Sequence, residues 1–159
     1  MPCAPTAHGA HPPPSDGVTT IDFYFNAGDR IAVACRLAGK AVQQKNRVLV
    51  YAPEPELAQK FDRTLWTFQA VSFVPHCHAG DALADETPVL ISMDETHIED
   101  RDVLINLGAE CPPFFARHER LLEIVPQDDA GRQAGRARYS FYKARGYALR
   151  SHDLAQAGA

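Results

Sequence analysis

Four short, mainly apolar runs constrain the fold of this chain more than any other feature. They lie at residues 47–51, 88–93, 103–107 and 121–125. Runs of this length, rich in β-branched and aliphatic side chains, are typical of strands that are buried on both faces, as in parallel sheets. Ile21, Phe23 and Phe25 alternate with other residues and predict one further strand at the start of the folded region.

Helical patterns lie between these strands. Asp29 can cap a helix with an apolar face at Ile31, Ala34, Cys35, Ala38 and Val42. Prolines and acids at 53–56 are typical of a helix start, and apolar residues then repeat every four positions at Leu57, Phe61 and Leu65. Asp128 and Asp129 begin a last helix that runs to about Arg145, with Gly146 after it. The alternation predicts a single three-layer α/β domain, Rossmann-like, with a mostly parallel sheet and helices on both faces.

Three regions are expected along the chain. Residues 1–18 hold prolines and histidines but few large apolar side chains, and we expect a disordered tail. Residues 19–152 form the domain, and residues 153–159 are a flexible C-terminus. Within the domain we expect four smaller elements: a strand at 71–74, a polar loop at 76–87, a short helix at 112–118 and an edge strand at 147–149.

Composition favours a reduced, cytoplasmic protein. The four cysteines are widely spaced and form no CxxC pair, unlike a disulfide framework. No apolar run approaches the ~18–20 residues that a membrane span needs, and the N-terminus has no signal-peptide pattern. We therefore expect no membrane contact.

Motifs for cofactors and catalysis are missing. The first strand is followed by Asn-Ala-Gly-Asp and not by a glycine-rich phosphate loop, and Gly39-Lys40 lacks the other P-loop residues. The histidines and cysteine at 76–78 favour a polar turn over a metal site, and the acids at 94–102 favour a solvated connection. We predict no cofactor, no metal and no catalytic site.

The cations are concentrated near the C-terminus. The whole chain has a formal net charge of −4, yet residues 130–152 contain no Asp or Glu. Their six cations are Arg132, Arg136, Arg138, Lys143, Arg145 and Arg150. Because no acid is interleaved for pairing along the helix, the pattern predicts a docking site for something anionic.

Aromatic residues accompany these cations and narrow the choice of partner. Arg132, Arg136 and Tyr139 share one face of the last predicted helix, and Trp66 and Phe73 come from earlier in the chain. If Trp66 and Phe73 lie near that helix, they form an apolar pocket beside guanidinium groups. Such a site suits a short acidic peptide with an aromatic side chain and a free carboxylate. Core packing of Trp66 and Phe73 is the alternative.

An ordered set of short motifs resembles a known family. The motifs are Leu65-Trp66, Ser72–His76, Arg101–Leu107, Glu123–Pro126, Arg136–Tyr139, Tyr142-Lys143 and Gly146-Tyr147. Over residues 20–150 the chain is similar to the chi subunit of the bacterial DNA polymerase III holoenzyme. The resemblance implies an α/β accessory subunit that has no active site and binds no nucleotide. It implies a link between the clamp loader, through the psi subunit, and single-stranded-DNA-binding protein. DNA would then be reached mainly indirectly.

The resemblance also implies roles for individual residues. In this family chi binds the acidic C-terminal tail of single-stranded-DNA-binding protein, which ends in Phe; we call this segment the partner tail. Arg136 is expected to bind its terminal carboxylate and Arg132 an acidic side chain. The residues expected to line the pocket or stand beside it are Phe73, Val125, Tyr139, Trp66 and Ser151.

Three other functions remain open from the sequence. The basic helix and its aromatics would also suit direct binding of single-stranded nucleic acid, with a steep salt dependence. A partnership with a repair helicase, instead of or beside the clamp loader, is a second possibility. A small nucleotide-dependent enzyme is the third, and the missing glycine loops oppose it.

Overall fold

The computed structural model describes residues 19–67, 75–78, 87–93 and 102–155. The strands within these ranges are β1 Thr20–Ala27, β2 Val48–Tyr51, β3 His76–His78, β4 Val89–Ser92, β5 Val103–Asn106, β6 Arg120–Pro126 and β7 Ala148–Asp153. The helices are α1 Arg30–Gln43, α2 Pro55–Thr67 and α3 Asp129–Ala144. The seven strands form one sheet in the order β3-β4-β2-β5-β6-β1-β7, and each neighbouring pair is parallel.

Helices cover both faces of this sheet, which confirms the predicted α/β class. The apolar sides of α1 and α2 pack with alternate strand residues such as Val48, Val50 and Ile105. Residues on the opposite face of the strands, such as Leu49 and Leu104, pack with Tyr142 of α3 and with the aromatic pair at 114–115. The central strands are therefore buried on both faces, as their continuous apolar runs predicted.

The predicted helix ends are confirmed by local hydrogen bonds. The Asp29 carboxylate accepts from the backbone N–H groups of Ile31 and Ala32, and the Asp128 carboxylate accepts from that of Gly131. Gly146 follows α3 with a φ of 86°, a left-handed conformation that favours glycine.

Three smaller elements differ from the sequence prediction. The expected polar loop at 76–87 begins instead with β3, because residues 76–78 pair with β4 and complete the sheet edge. The short helix expected at 112–118 is a single 3₁₀ turn at Phe115–Arg117. The edge strand expected at 147–149 extends to Asp153, because each of its residues pairs with β1. The strand expected at 71–74 lies outside the described residues.

The last helix lies unusually close to β6. A Cβ placed on Gly131 would stand 2.2 Å from Cγ of Pro126, and one on Gly135 would stand 2.8 Å from Cγ2 of Val125. Two glycines four positions apart therefore let α3 approach the end of β6. None of the helices that the structure describes has the length and apolar character needed to cross a bilayer.

Candidate functional site

A cavity of about 320 Å³ lies between α3 and the β6-β1-β7 edge of the sheet. Its lining residues are Phe23, Phe25, Asn26, Val125, Pro126, Arg132, Gly135, Arg136, Tyr139 and Ser151. The volume is at the lower end of the range for small-ligand sites, so the cavity suits one bulky side chain and a short stretch of backbone.

The periodicities of strand and helix bring these side chains together. Phe23 and Phe25 are two apart on β1, and Ser151 is the register partner of Phe23 on β7, so all three lie on the α3 face of the sheet. From α3, Arg132, Arg136 and Tyr139 are spaced four and three residues apart and form one helical stripe. The sequence predicted this stripe, but it did not identify Phe23 and Phe25 as its counterpart.

The floor of the cavity is apolar. The Tyr139 ring packs edge-on against Phe23, with ring centroids 5.1 Å apart and planes at 63°. Val125 forms part of the floor directly beneath Gly135, where a larger residue would meet it. A buried aromatic or aliphatic group entering the cavity would therefore meet apolar atoms from both β1 and β6.

The rim of the cavity is cationic. Arg132 and Arg136 are both exposed, and neither forms an ion pair with an acidic side chain within the described ranges. Arginine presents a planar fork of donors that matches a carboxylate bidentately. The rim can thus hold two carboxylates beside an apolar floor.

Asn26 forms one end of the cavity and was not identified from the sequence. Its φ of 64° is left-handed, which asparagine tolerates better than most residues. Its Nδ2 donates to Oδ1 of Asp153 over 2.8 Å, and its carbonyl oxygen accepts from Nε2 of Gln127 over 3.3 Å. These bonds connect the end of β1 to the end of β7 and to the segment that follows β6, and they bound the cavity on that side.

A buried polar network attaches α3 to the sheet beneath the cavity. Glu123 on β6 is fully buried; its carboxylate accepts from Arg138 Nε over 2.8 Å and from the Tyr142 hydroxyl over 2.6 Å. Asn106 Nδ2 donates to the same carboxylate over 3.0 Å. Burial raises the pKa of Glu123 despite the opposing effect of Arg138, and burial beside Glu123 raises the pKa of Tyr142.

The structure adds to what the sequence indicated about this basic segment. Because residues 130–152 contain no acid, their cations were expected not to be neutralised by pairing along the helix. Two of the six are paired with buried acids elsewhere in the chain: Arg138 with Glu123, and Arg150 with Asp22 of β1. Sequence composition shows only local pairing, whereas these partners are brought together by the sheet.

Trp66 is not brought to the cavity. It lies in the last turn of α2, 53% of its surface is exposed, and its ring lies 4.5 Å from that of His76 on β3. Because β3 and β7 are opposite edges of the sheet, Trp66 lies at the far end of the molecule from Arg132 and Arg136. Phe73 lies outside the described residues.

The other candidate residues show no metal-binding arrangement in the described part of the chain. His76 Nε2 lies 2.8 Å from a carboxylate oxygen of Asp62, and no group of three or more potential ligands occurs there. Burial raises the pKa of the Cys35 thiol to about 12, so this cysteine is a poor nucleophile. Asp102 accepts from the Arg47 backbone N–H over 2.8 Å, while the acids at 94–100 lie outside the described residues.

Comparison with known sequences identifies close relatives. The family model described as DNA polymerase III chi subunit, HolC, matches residues 18–150. A DNA polymerase III subunit chi from Pseudomonas aeruginosa is 36% identical over 141 residues, covering 86% of this chain and 98% of that protein. The subunit chi of Escherichia coli is 30% identical over 135 residues, covering 84% of this chain and 90% of that protein.

Comparison with solved structures shows the fold. The C-terminal domain of the DEAD-box protein Dbp5 matches with a TM-score of 0.60 and 12% identity, over 89% of this chain and 93% of that chain. T4 UvsW matches with a TM-score of 0.62 and 8% identity, over 87% of this chain and 42% of that chain. Identities this low support a shared sheet architecture alone.

Proposed function

This chain belongs to the DNA polymerase III chi subunit family, and we propose that it binds the partner tail of single-stranded-DNA-binding protein in the cavity beside α3. The chain thereby acts as a non-catalytic accessory subunit in DNA replication. The observation that carries the proposal is the convergence of Arg132, Arg136, Tyr139, Val125 and Ser151 on one cavity. They are five of the seven residues that the family resemblance assigned to the partner tail; Trp66 lies elsewhere, and Phe73 lies outside the described residues.

The cavity matches the chemistry of an acidic peptide that ends in Phe. The terminal aromatic ring enters between Phe23, Val125 and Tyr139, where it exchanges water for apolar contact. The terminal carboxylate then lies at the rim, where Arg136 binds it bidentately, and Arg132 binds an acidic side chain further along the peptide. Trp66 is left out of this site because it lies at the opposite sheet edge.

The other partners are proposed on the basis of family membership, and they need a different surface. We propose that the chain connects to the clamp loader through a psi subunit, with a repair helicase as an alternative partner. The cavity beside α3 is occupied by the partner tail in this scheme, so either protein would dock elsewhere. That separation allows one chain to bridge two assemblies.

The test is binding of a labelled acidic peptide ending in Phe, followed by fluorescence anisotropy, to the wild type and to Arg136→Ala. Loss of a charge-assisted hydrogen bond of ~1.5–3 kcal/mol corresponds to about 10- to 100-fold weaker binding. Lys143→Ala removes the same charge from the same helix outside the cavity, and we expect it to bind within about twofold of the wild type.

Two changes to the peptide separate the carboxylate from the ring. Amidation of the C-terminus removes the charge that Arg136 binds, and replacement of the final Phe by Ala removes the group that fills the cavity. Both peptides should bind weakly to the wild type, and amidation should cost little further affinity in Arg136→Ala. Equal affinity of wild type and Arg136→Ala for the unmodified peptide would show that the partner tail binds elsewhere.

A further inference from the structure

A second group of cations lies on the opposite face of the same sheet edge. Asp22 of β1 is fully buried, and three side chains from β6 and β7 converge on its carboxylate. Arg150 donates from Nε over 2.8 Å and from a terminal nitrogen over 3.0 Å, Arg120 donates over 3.0 Å, and His152 Nε2 lies 3.0 Å away. We call Arg120, Arg150 and His152 the edge cluster.

The edge cluster carries more positive charge than Asp22 neutralises. Burial acts to raise the pKa of Asp22, but hydrogen bonds from Arg150, His152 and Arg120 outweigh it and the pKa is lowered. The carboxylate is therefore ionised at neutral pH and offsets only one of the two arginine charges. The side chains of Arg120, Arg150 and His152 are 34%, 58% and 42% exposed, so the surplus charge faces solvent.

Asp22 does not provide an acceptor for every hydrogen-bond donor of Arg120. Its Nε–H is buried and has no hydrogen-bond partner among the described residues. A buried donor without an acceptor costs stability, and such groups are rare in folded proteins.

An aromatic stack adjoins the edge cluster. The rings of Tyr24 and His152 lie nearly parallel, with centroids 4.5 Å apart and planes at 13°. β7 is the edge strand of the sheet, and no other described strand lies beyond the outer face of the His152 ring. α1 packs mainly over β6, β5 and β2, and α3 packs on the other face of the sheet.

We propose that the edge cluster binds the phosphate backbone of single-stranded DNA. A surplus of guanidinium charge spread over adjacent strands suits a repeating anion, and an exposed ring face beside it suits an unstacked base. An acidic peptide with an apolar anchor fits less well, because the residues here form an open polar face without the apolar floor of the α3 cavity. This site is independent of the partner tail, since the two occupy opposite faces of β1 and β7.

The two faces together define how DNA and protein partner would be arranged. Ser151 points into the α3 cavity, while its neighbours Arg150 and His152 lie on the other face, because successive strand residues alternate. One six-residue strand, β7, therefore contributes to both sites. Tail and DNA can then bind to the same molecule simultaneously.

The experiment measures anisotropy of a labelled oligothymidylate of about 20 nucleotides, longer than the site of one small binding fold. The full chain is titrated at several salt concentrations. We expect measurable binding at low salt, and about 3- to 10-fold weaker binding for Arg150→Gln and for Arg120→Gln. The slope of log affinity against log salt should become shallower by about 0.7 for each phosphate contact removed.

Controls separate this site from other basic surfaces and from unfolding. Arg63→Gln removes an exposed arginine on α2 at the far end of the molecule and should bind like the wild type, as should Arg136→Ala in the α3 cavity. Arg150→Lys keeps the charge at β7 and should retain more affinity than Arg150→Gln, while circular dichroism checks that each variant is folded. Saturating acidic peptide ending in Phe should leave the oligonucleotide bound.

Three results would overturn the proposal. The first is no binding of the oligonucleotide at low salt by the folded wild type. The second is that Arg136→Ala loses binding while Arg150→Gln and Arg120→Gln keep it, which would place DNA on α3. The third is equal competition by a polyaspartate peptide at matched charge, which would assign the edge cluster to an acidic protein segment.

Discussion

Gly135 decides how near the cavity floor α3 can lie. A methyl group at this position would meet both Cγ atoms of Val125, at 2.8 and 2.9 Å, and Val125 is β-branched and has few alternative rotamers. Glycine within a helix costs ~1 kcal/mol relative to alanine. A larger residue at position 135 would avoid this cost, but it would push Arg132, Arg136 and Tyr139 away from β1.

We predict that Gly135→Ala destabilises the protein although it improves helix propensity. Overpacking costs ~1–3 kcal/mol, against a propensity gain of ~1 kcal/mol, so the net loss should be about 1 kcal/mol. Urea unfolding measures this change, and peptide anisotropy should show weaker binding of the acidic peptide. Gly28→Ala, whose added Cβ meets nothing within 4 Å, is the control. A more stable Gly135→Ala with full peptide affinity would show that α3 has room to move.

Residue spacing predicted part of the cavity. The stripe of Arg132, Arg136 and Tyr139 follows from helical periodicity, and the structure places all three on one cavity. Phe23 and Phe25 were assigned to the first strand from their alternation, but a period of two shows that residues share a face and not what covers that face. Asn26 was missed because its left-handed φ has no sequence signal without a following glycine.

At the scale of elements, α3 is held by one buried ion pair. Glu123 of β6 and Arg138 of α3 are both buried, and Tyr142 supplies a second bond one turn further along the helix. A buried pair contributes little net stability relative to apolar residues, but removal of one partner leaves an uncompensated charge. The pair therefore fixes the position of α3 more than it stabilises the fold.

We predict that Glu123→Gln lowers the free energy of unfolding by about 3 kcal/mol, because Arg138 stays buried without a counter-charge. Urea unfolding at neutral pH measures the loss. Arg138→Met should cost a similar amount, and the double variant Glu123→Gln/Arg138→Met should cost clearly less than the sum of the two single effects. Additive losses in the double variant would mean that the two side chains act separately.

The edge strands were the least predictable elements. β3 was expected to be a loop because it is only three residues long and two of them are histidines. β7 was expected to be half its length because its second half, from Arg150 to Asp153, is a run of polar residues. β7 continues through Arg150 and His152 because the carboxylate of Asp22, on the neighbouring strand, binds both side chains. An acid 128 residues earlier in the chain cannot be recognised as that partner from local sequence.

At the scale of the whole molecule, strand order separates the candidate surfaces. The α/β class followed from the alternation of apolar runs and amphipathic segments. The strand order β3-β4-β2-β5-β6-β1-β7 could not be predicted from that alternation, since it depends on pairings between distant segments. Trp66 was grouped with the basic helix for that reason, and it lies at the other end of the sheet.

We predict that Asp22 makes the stability of the molecule depend on acid pH. Its folded pKa is lowered, so its contribution is present above the unfolded value near 3.8 and is lost as pH falls through the lower folded value. Wild type should therefore be more stable than Asp22→Asn at pH 7, and the difference should shrink below about pH 3.8. Urea unfolding across this range measures it; a difference that stays constant with pH would assign the stabilisation to packing.

The position of β1 between β6 and β7 has a consequence for how the protein is made. β1 is synthesised early, yet its last neighbour, β7, follows more than a hundred residues later. At ribosomal rates of about 5–20 residues per second, β1 waits on the order of ten seconds for that strand. Both the α3 cavity and the edge cluster include β7, so a nascent chain has neither until β7 has been synthesised.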